Sequence, residues 1–150
     1  PKNNLPSLES SILENKTYAI PGTPAQKGEN KLPVSVFPNP YRAQAQWDGA
    51  GDREKMIWFI NLPSRSQVRI YTLAGDVVDE FQHDGVEYSG QDVELMAGRI
   101  GNNNTVLAGG MHAWDMISAY DQAAATGLYF FSVEDLDSGS IQTGKFVIIK

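Results

Sequence analysis

Residues 55–81 read "KMIWFINLPSRSQVRIYTLAGDVVDEF". Met56, Ile57, Trp58, Phe59 and Ile60 are apolar without a break, as in a central strand whose two faces are both covered. From Gln67 the pattern changes to alternation. Val68 and Ile70 point one way, Arg69 and Tyr71 the other, as the two-residue pleat of a strand requires. Ala74, Gly75 and Asp76 then mark a turn into "DVVDEF". Three strands in succession, with no helical period between them, predict an all-β chain.

The same reading extends in both directions. "VSVF" at residues 34–37, "MHAWDMI" at 111–117, "GLYFFSVED" at 127–135 and "TGKFVIIK" at 143–150 are further β-type runs bounded by turn signals. Leu136, Asp137, Ser138 and Gly139 turn between the last two. About seven short strands at this spacing predict an immunoglobulin-like β-sandwich. The alanines of "SAYDQAAATG" favour helix, but Gly127 stops it within a few residues, so a loop or single turn is expected. Residues 86–110 break the rhythm and read as an inserted loop or hairpin, with 93–96 and 105–107 as its arms. Residues 1–33 carry five prolines and no sustained apolar period. They read as a linker or an extended arm that proteolysis would separate from the domain at 34–150; a short helix at 8–13 is weakly signalled.

Composition narrows the function. The chain has 150 residues, 41% hydrophobic and 20% charged, enough for a real core without metal or disulfide staples. Its net charge of -6, with no run of Lys or Arg, argues against nucleic acid and anionic membrane surfaces as partners. There is no cysteine, hence no thiol chemistry, and no apolar run of transmembrane length. The first residue is Pro1 rather than Met, so a piece of a longer protein is expected. His83 and His112 are the only histidines and form no metal-ligand spacing, which makes a zinc site improbable. Asp135, Asp137 and Gly139 look like half of a calcium loop but lack the remaining oxygen ligands, so a hairpin turn is the better reading. No nucleophile elbow or phosphate-binding loop is present, and no catalytic residue, metal or cofactor is assigned.

Several motifs stand in order: "VFPNPYRA", "WFINLP", "VRIYTLAGDVV", "AWDMIS", "TGLYFFSVED" and "TGKFVIIK". This series resembles the C-terminal sorting domains of the type IX secretion system, and is similar to the immunoglobulin-like domain of flagellar hook-capping proteins. The resemblance covers residues 34–150, with 86–110 as an insertion. It implies a non-enzymatic module at the surface of an exported bacterial protein, outside the cell. Its partners would be an outer-membrane secretion machinery or neighbouring domains of the same protein. The positions that match are Pro38, Asn39, Pro40, Gly75, Gly127, Tyr129, Lys145 and Lys150.

Each has a plainer explanation as well. Two prolines around Asn39 stiffen a crossover and remove two donors, so a joint is the first reading and an exposed recognition corner the second. Tyr129 after Gly127 resembles a tyrosine corner, whose hydroxyl bonds back to the loop entering its strand. Lys145 and Lys150 flank "FVII", where charge also discourages edge-to-edge aggregation. Two other functions remain open. Residues 12–20 of the arm could pair with a neighbouring subunit in a homo-oligomer, filament or fibre. Tyr41, Trp47 and Trp114 at loops or strand ends could stack on sugars in a carbohydrate-binding module.

Overall fold

Strands form where the apolar residues recur at the pleat. In a computed structural model, which describes residues 18–19, 22–28, 31–43, 45, 48–51, 54–90 and 105–150, there are ten. They are β1 (Tyr18–Ala19), β2 (Ser35–Phe37), β3 (Tyr41–Arg42), β4 (Ile57–Ile60), β5 (Arg65–Thr72), β6 (Val77–Asp84), β7 (Thr105–Val106), β8 (Met111–Trp114), β9 (Gly127–Asp135) and β10 (Ile141–Ile149). The seven strands read from the sequence are β2, β4, β5, β6, β8, β9 and β10. The other three are two residues long each.

A five-stranded sheet in the order β3-β10-β9-β5-β6 packs on a three-stranded sheet in the order β2-β4-β8. The result is an all-β sandwich. Val68 and Ile70 on β5, Tyr129, Phe131 and Val133 on β9, and Phe146 and Ile148 on β10 all turn inward, as period two requires. From the small sheet, Ile57 and Phe59 meet them. Phe59 is a hub, with ring edges against Phe81 at 5.7 Å, Phe131 at 5.4 Å and Phe146 at 6.1 Å. Edge-to-face pairs of this kind add to simple area burial.

The uninterrupted apolar run on β4 serves two clusters. Met56 and Trp58 point away from the main core, into a second cluster with Met111 and Ala113, against which Ile60, Leu107 and Ala108 pack. The described part of the arm lies beside that cluster. Gly22 sits directly on Met111. Thr23 accepts from the Gly110 N–H at 2.9 Å and its hydroxyl donates to the Gly110 carbonyl at 2.9 Å. A Cβ at Gly110 would run into the Pro24 carbonyl, so this close approach needs glycine. Gln26 N donates to the Leu62 carbonyl at 2.9 Å. Residues 22–26 therefore line one end of the chain's own sandwich.

Within the insertion, β7 pairs in parallel with β1 of the arm. The hairpin expected there has its first arm and turn outside the described residues, as has the helix expected at 8–13. Residues 118–126 make turns: Ser118 N donates to Gln122 O at 2.8 Å and Ala124 N to Met116 O at 2.7 Å. Among the described residues no helix is long and apolar enough to cross a membrane.

Candidate functional site

The site starts from the joint at Pro38, Asn39 and Pro40. β2 belongs to the small sheet and β3 to the large one, so the chain changes sheets between Phe37 and Tyr41. Neither proline has an N–H to offer a ladder, and both X-Pro bonds are cis. Asn39 replaces the missing backbone bonds with its side chain. Its Nδ2 donates to the Lys145 carbonyl at 3.2 Å, and its Oδ1 accepts from the Val147 N–H at 3.2 Å. An amide side chain carries the same donor and acceptor as a peptide. It closes the edge of β10 until β3 takes over in parallel, Tyr41 beside Ile148 and Arg42 beside Ile149. Pro-Asn-Pro is a joint whose central residue reads the last strand.

Register brings the other matching positions toward the same end. Gly127 lies opposite Ile148, and Tyr129 lies between Phe146 and Thr72. Gly75 is at the tip of the β5–β6 hairpin just beyond Thr72, with φ of 92°, a left-handed conformation that suits glycine. Lys150 N donates to Thr126 Oγ1 at 2.9 Å. Lys145 is beside Phe130, further in along the strand. The Tyr129 hydroxyl donates to the Ala125 carbonyl at 2.8 Å, which is the tyrosine corner expected from the sequence. Burial pushes its phenol pKa up, partly offset by that bond. Tyr129 is thus a buried brace. The Lys145 and Lys150 side chains are exposed, with no ion-pair partner among the described residues.

Two of the three rings considered for sugar stacking are buried. Tyr41 has none of its surface exposed, and its hydroxyl donates to Asp48 Oδ2 at 2.6 Å. Burial first, and then Asp48, push its phenol pKa well above the usual value. Trp114 is 3% exposed, and its Nε1 donates to Asp79 Oδ2 at 2.8 Å and to the Ile117 carbonyl at 3.0 Å. Both rings sit in the main core because they start or end strands whose inward register they share. Trp47 lies outside the described residues.

No protein-family model matches the chain, and no curated protein does. Among solved structures it is similar to PorZ, described as an essential bacterial surface component of the type-IX secretion system of Porphyromonas gingivalis. The likeness is 20% identity and a TM-score of 0.48, over 78% of this chain and 11% of that one. It is also similar to dimeric latent PorU from Porphyromonas gingivalis, at 19% identity and a TM-score of 0.44, over 77% of this chain and 9% of that one. The chain thus spans well under two thirds of either protein.

Three buried polar groups make contacts that the sequence does not announce. Asp48 accepts from the Tyr41 hydroxyl, from Ala45 N at 2.6 Å and from Met56 N at 3.1 Å, and so holds the β3–β4 connection. His83 and His112, 29 residues apart, approach at 3.2 Å between their Nδ1 atoms. His83 Nε2 is 3.0 Å from the Gly109 carbonyl. A proton on that nitrogen leaves His83 Nδ1 to accept from His112. The His112 ring is stacked between Phe81 at 4.2 Å and Tyr88 at 3.8 Å. Among the described residues, no group of three or more potential metal ligands stands together.

Asp135 is the third. It caps the β9–β10 turn, accepting from Asp137 N at 2.9 Å and the Ser138 hydroxyl at 2.7 Å, and it pairs with Lys31 of the arm. Burial alone would raise its pKa. The Lys31 ammonium, the Ser138 hydroxyl and the turn N–H groups outweigh burial and hold it at about 2. The half calcium loop is a hairpin turn whose cation is a lysine.

Proposed function

We propose that this chain is a non-enzymatic sorting and surface-attachment module of an exported bacterial protein, read by an outer-membrane secretion machinery. The observation that carries the reading is convergence. Motif positions separated by more than half the chain come together on one end of the five-stranded sheet. Asn39 is bonded to the backbone of Lys145 and Val147, Gly127 lies opposite Ile148, and Lys150 is tied to Thr126. A folded surface assembled this way offers a machinery a rigid shape to recognise, and rigidity lowers the ordering cost of binding. The exposed groups there are Asn39, Pro40, Lys145 and Lys150; Pro38 is half-buried and Tyr129 acts from inside. Within this reading the module functions outside the cell and needs no cofactor.

The test is a fusion. Residues 22–150 are placed behind a signal peptide and a neutral reporter in a host that has the type IX machinery. The reporter is expected at the cell surface. Changing Lys145 and Lys150 together to Ala is expected to reduce display while leaving the melting temperature nearly unchanged. A reporter that folds but stays in the periplasm would refute the export reading.

A further inference from the structure

The outer face of the five-stranded sheet has two unlike halves. Toward the β9–β10 hairpin, Arg69 reaches Glu80 at 3.3 Å and Glu134 at 3.4 Å. Charge there is met within the chain. Toward the opposite end, period two turns Leu128, Phe130, Val147 and Ile149 outward, because Tyr129, Phe131, Phe146 and Ile148 face the core. Register sets Tyr71 beside Phe130 and Phe130 beside Lys145. Phe130 and Ile149 are 38% and 42% exposed. A groove of about 460 Å³ lies among Tyr71, Phe130 and Lys145, where Ser132 and Thr143 are too short to fill it.

Lys145 and Arg42 carry positive charge on this half, with Lys150 beyond them at the end of β10. Lys145 stands at the groove, and Arg42 lies beside Ile149 on the neighbouring strand. Both are exposed, and neither has a carboxylate partner among the described residues. In a chain of net charge -6, two unmatched cations around an apolar surface are a local reversal of sign. By charge complementarity the occupant is acidic, and where it meets the groove, to one side of both cations, it is apolar.

We propose that this half-face binds an acidic polypeptide segment that presents an apolar side chain followed by two carboxylates on the same face. The apolar group enters the groove against Phe130. One carboxylate meets the Lys145 ammonium, and the other takes the Arg42 guanidinium, whose fork suits carboxylate geometry. This deepens the export reading by giving the chemistry of the partner, and rests on it only for where that partner is found.

The experiment uses the whole chain and a heptapeptide, Phe-Thr-Asp-Thr-Leu-Thr-Asp, labelled with fluorescein at its N-terminus and amidated at its C-terminus, whose alternate residues follow the order groove, Lys145, Arg42. A control peptide carries Lys in place of both Asp. Anisotropy titration is expected to show the acidic peptide binding about tenfold tighter than the control, and weakening as salt is raised. Lys145→Glu and Arg42→Glu are each expected to lower that affinity about fivefold or more, with Lys145→Gln intermediate. Both side chains are exposed, so melting temperatures should not move; Phe130→Ser should weaken both peptides together. Equal affinity for the two peptides, no binding of either, or an unchanged affinity in Lys145→Glu would overturn the proposal. So would a dimer in sedimentation that Lys145→Glu dissociates, because the occupant would then be a second copy. Peptide binding without surface display of the fusion would refute export and leave the face standing.

Discussion

Trp58 and Phe59 are neighbours on β4, yet they serve different clusters. Phe59 enters a core closed by the opposite sheet, where Phe131 and Phe146 come from long, alternating strands. Trp58 enters a cluster whose further partners include Leu107 and Ala108, which belong to no strand, and Met111, which Gly22 of the arm covers. A strand apolar on both faces needs two covers. One is a sheet with a regular period. The other draws on segments that have none. Aperiodic sequence is therefore no sign that a segment lies free of the fold.

The contrast can be broken by mutation. Phe59→Ala should cost about 3–5 kcal/mol, because three aromatic partners lose their shared contact and the sandwich cannot collapse into the space. Urea unfolding measures it. Met111→Ala should cost less, about 2 kcal/mol, since part of its cover is a short arm that can settle into the cavity. Equal losses at the two sites would mean that the arm side is packed as rigidly as the main core. Trimming to residue 34 should lower stability as well, because it removes the Thr23 bonds to Gly110 and the Lys31 pair with Asp135. A chain beginning at 34 that melts with the full chain would show that these contacts add nothing.

Lys31→Ala sharpens the comparison on the arm side, at about 1.5 kcal/mol near neutral pH. The pH dependence has a definite sign. Asp135 has its pKa lowered from 3.8 to about 2 on folding. Its contribution is complete above the ordinary carboxyl value and is lost as pH falls through about 2. Without the Lys31 ammonium the folded pKa rises, so the acid loss should begin at higher pH. Unfolding curves of both proteins between neutral and strongly acid pH check this; parallel acid profiles would mean that Lys31 does not stabilise the ionised carboxylate. The smallest effect is expected at Lys145→Ala, within about 0.5 kcal/mol, because the ammonium is exposed and has no carboxylate partner among the described residues.

Part of the local structure around these positions is legible in the sequence, though not its arrangement. The Tyr129 corner was legible because its partner, Ala125, is four residues away. The joint at Pro38, Asn39 and Pro40 was legible because proline acts on its own backbone. Asn39's bonds to Lys145 and Val147 span more than 100 residues and left no local mark. Tyr41 and Trp114 were misplaced as exposed rings for the opposite reason. A strand end looks like a loop in sequence, and only the register with β10 and β4 shows that each turns inward. The His83–His112 pair joins strands of different sheets, so no spacing along the chain announces it.

The sequence by itself determined seven of the strands and their alternation, Val68 with Ile70 on one face and, on the last strand, Phe146 with Ile148 or Val147 with Ile149 as the pair turned inward. A pleat of period two is a property of successive residues, and its apolar face is paid for wherever it is buried. The tertiary structure alone decided which strand edges meet, which of the two faces of β4 each neighbour covers, and that Thr23 and Lys31 bond to the chain's own sandwich. Those choices depend on hydrogen bonds and ion pairs between residues far apart in the chain, whose geometry exists only once the two sheets are stacked.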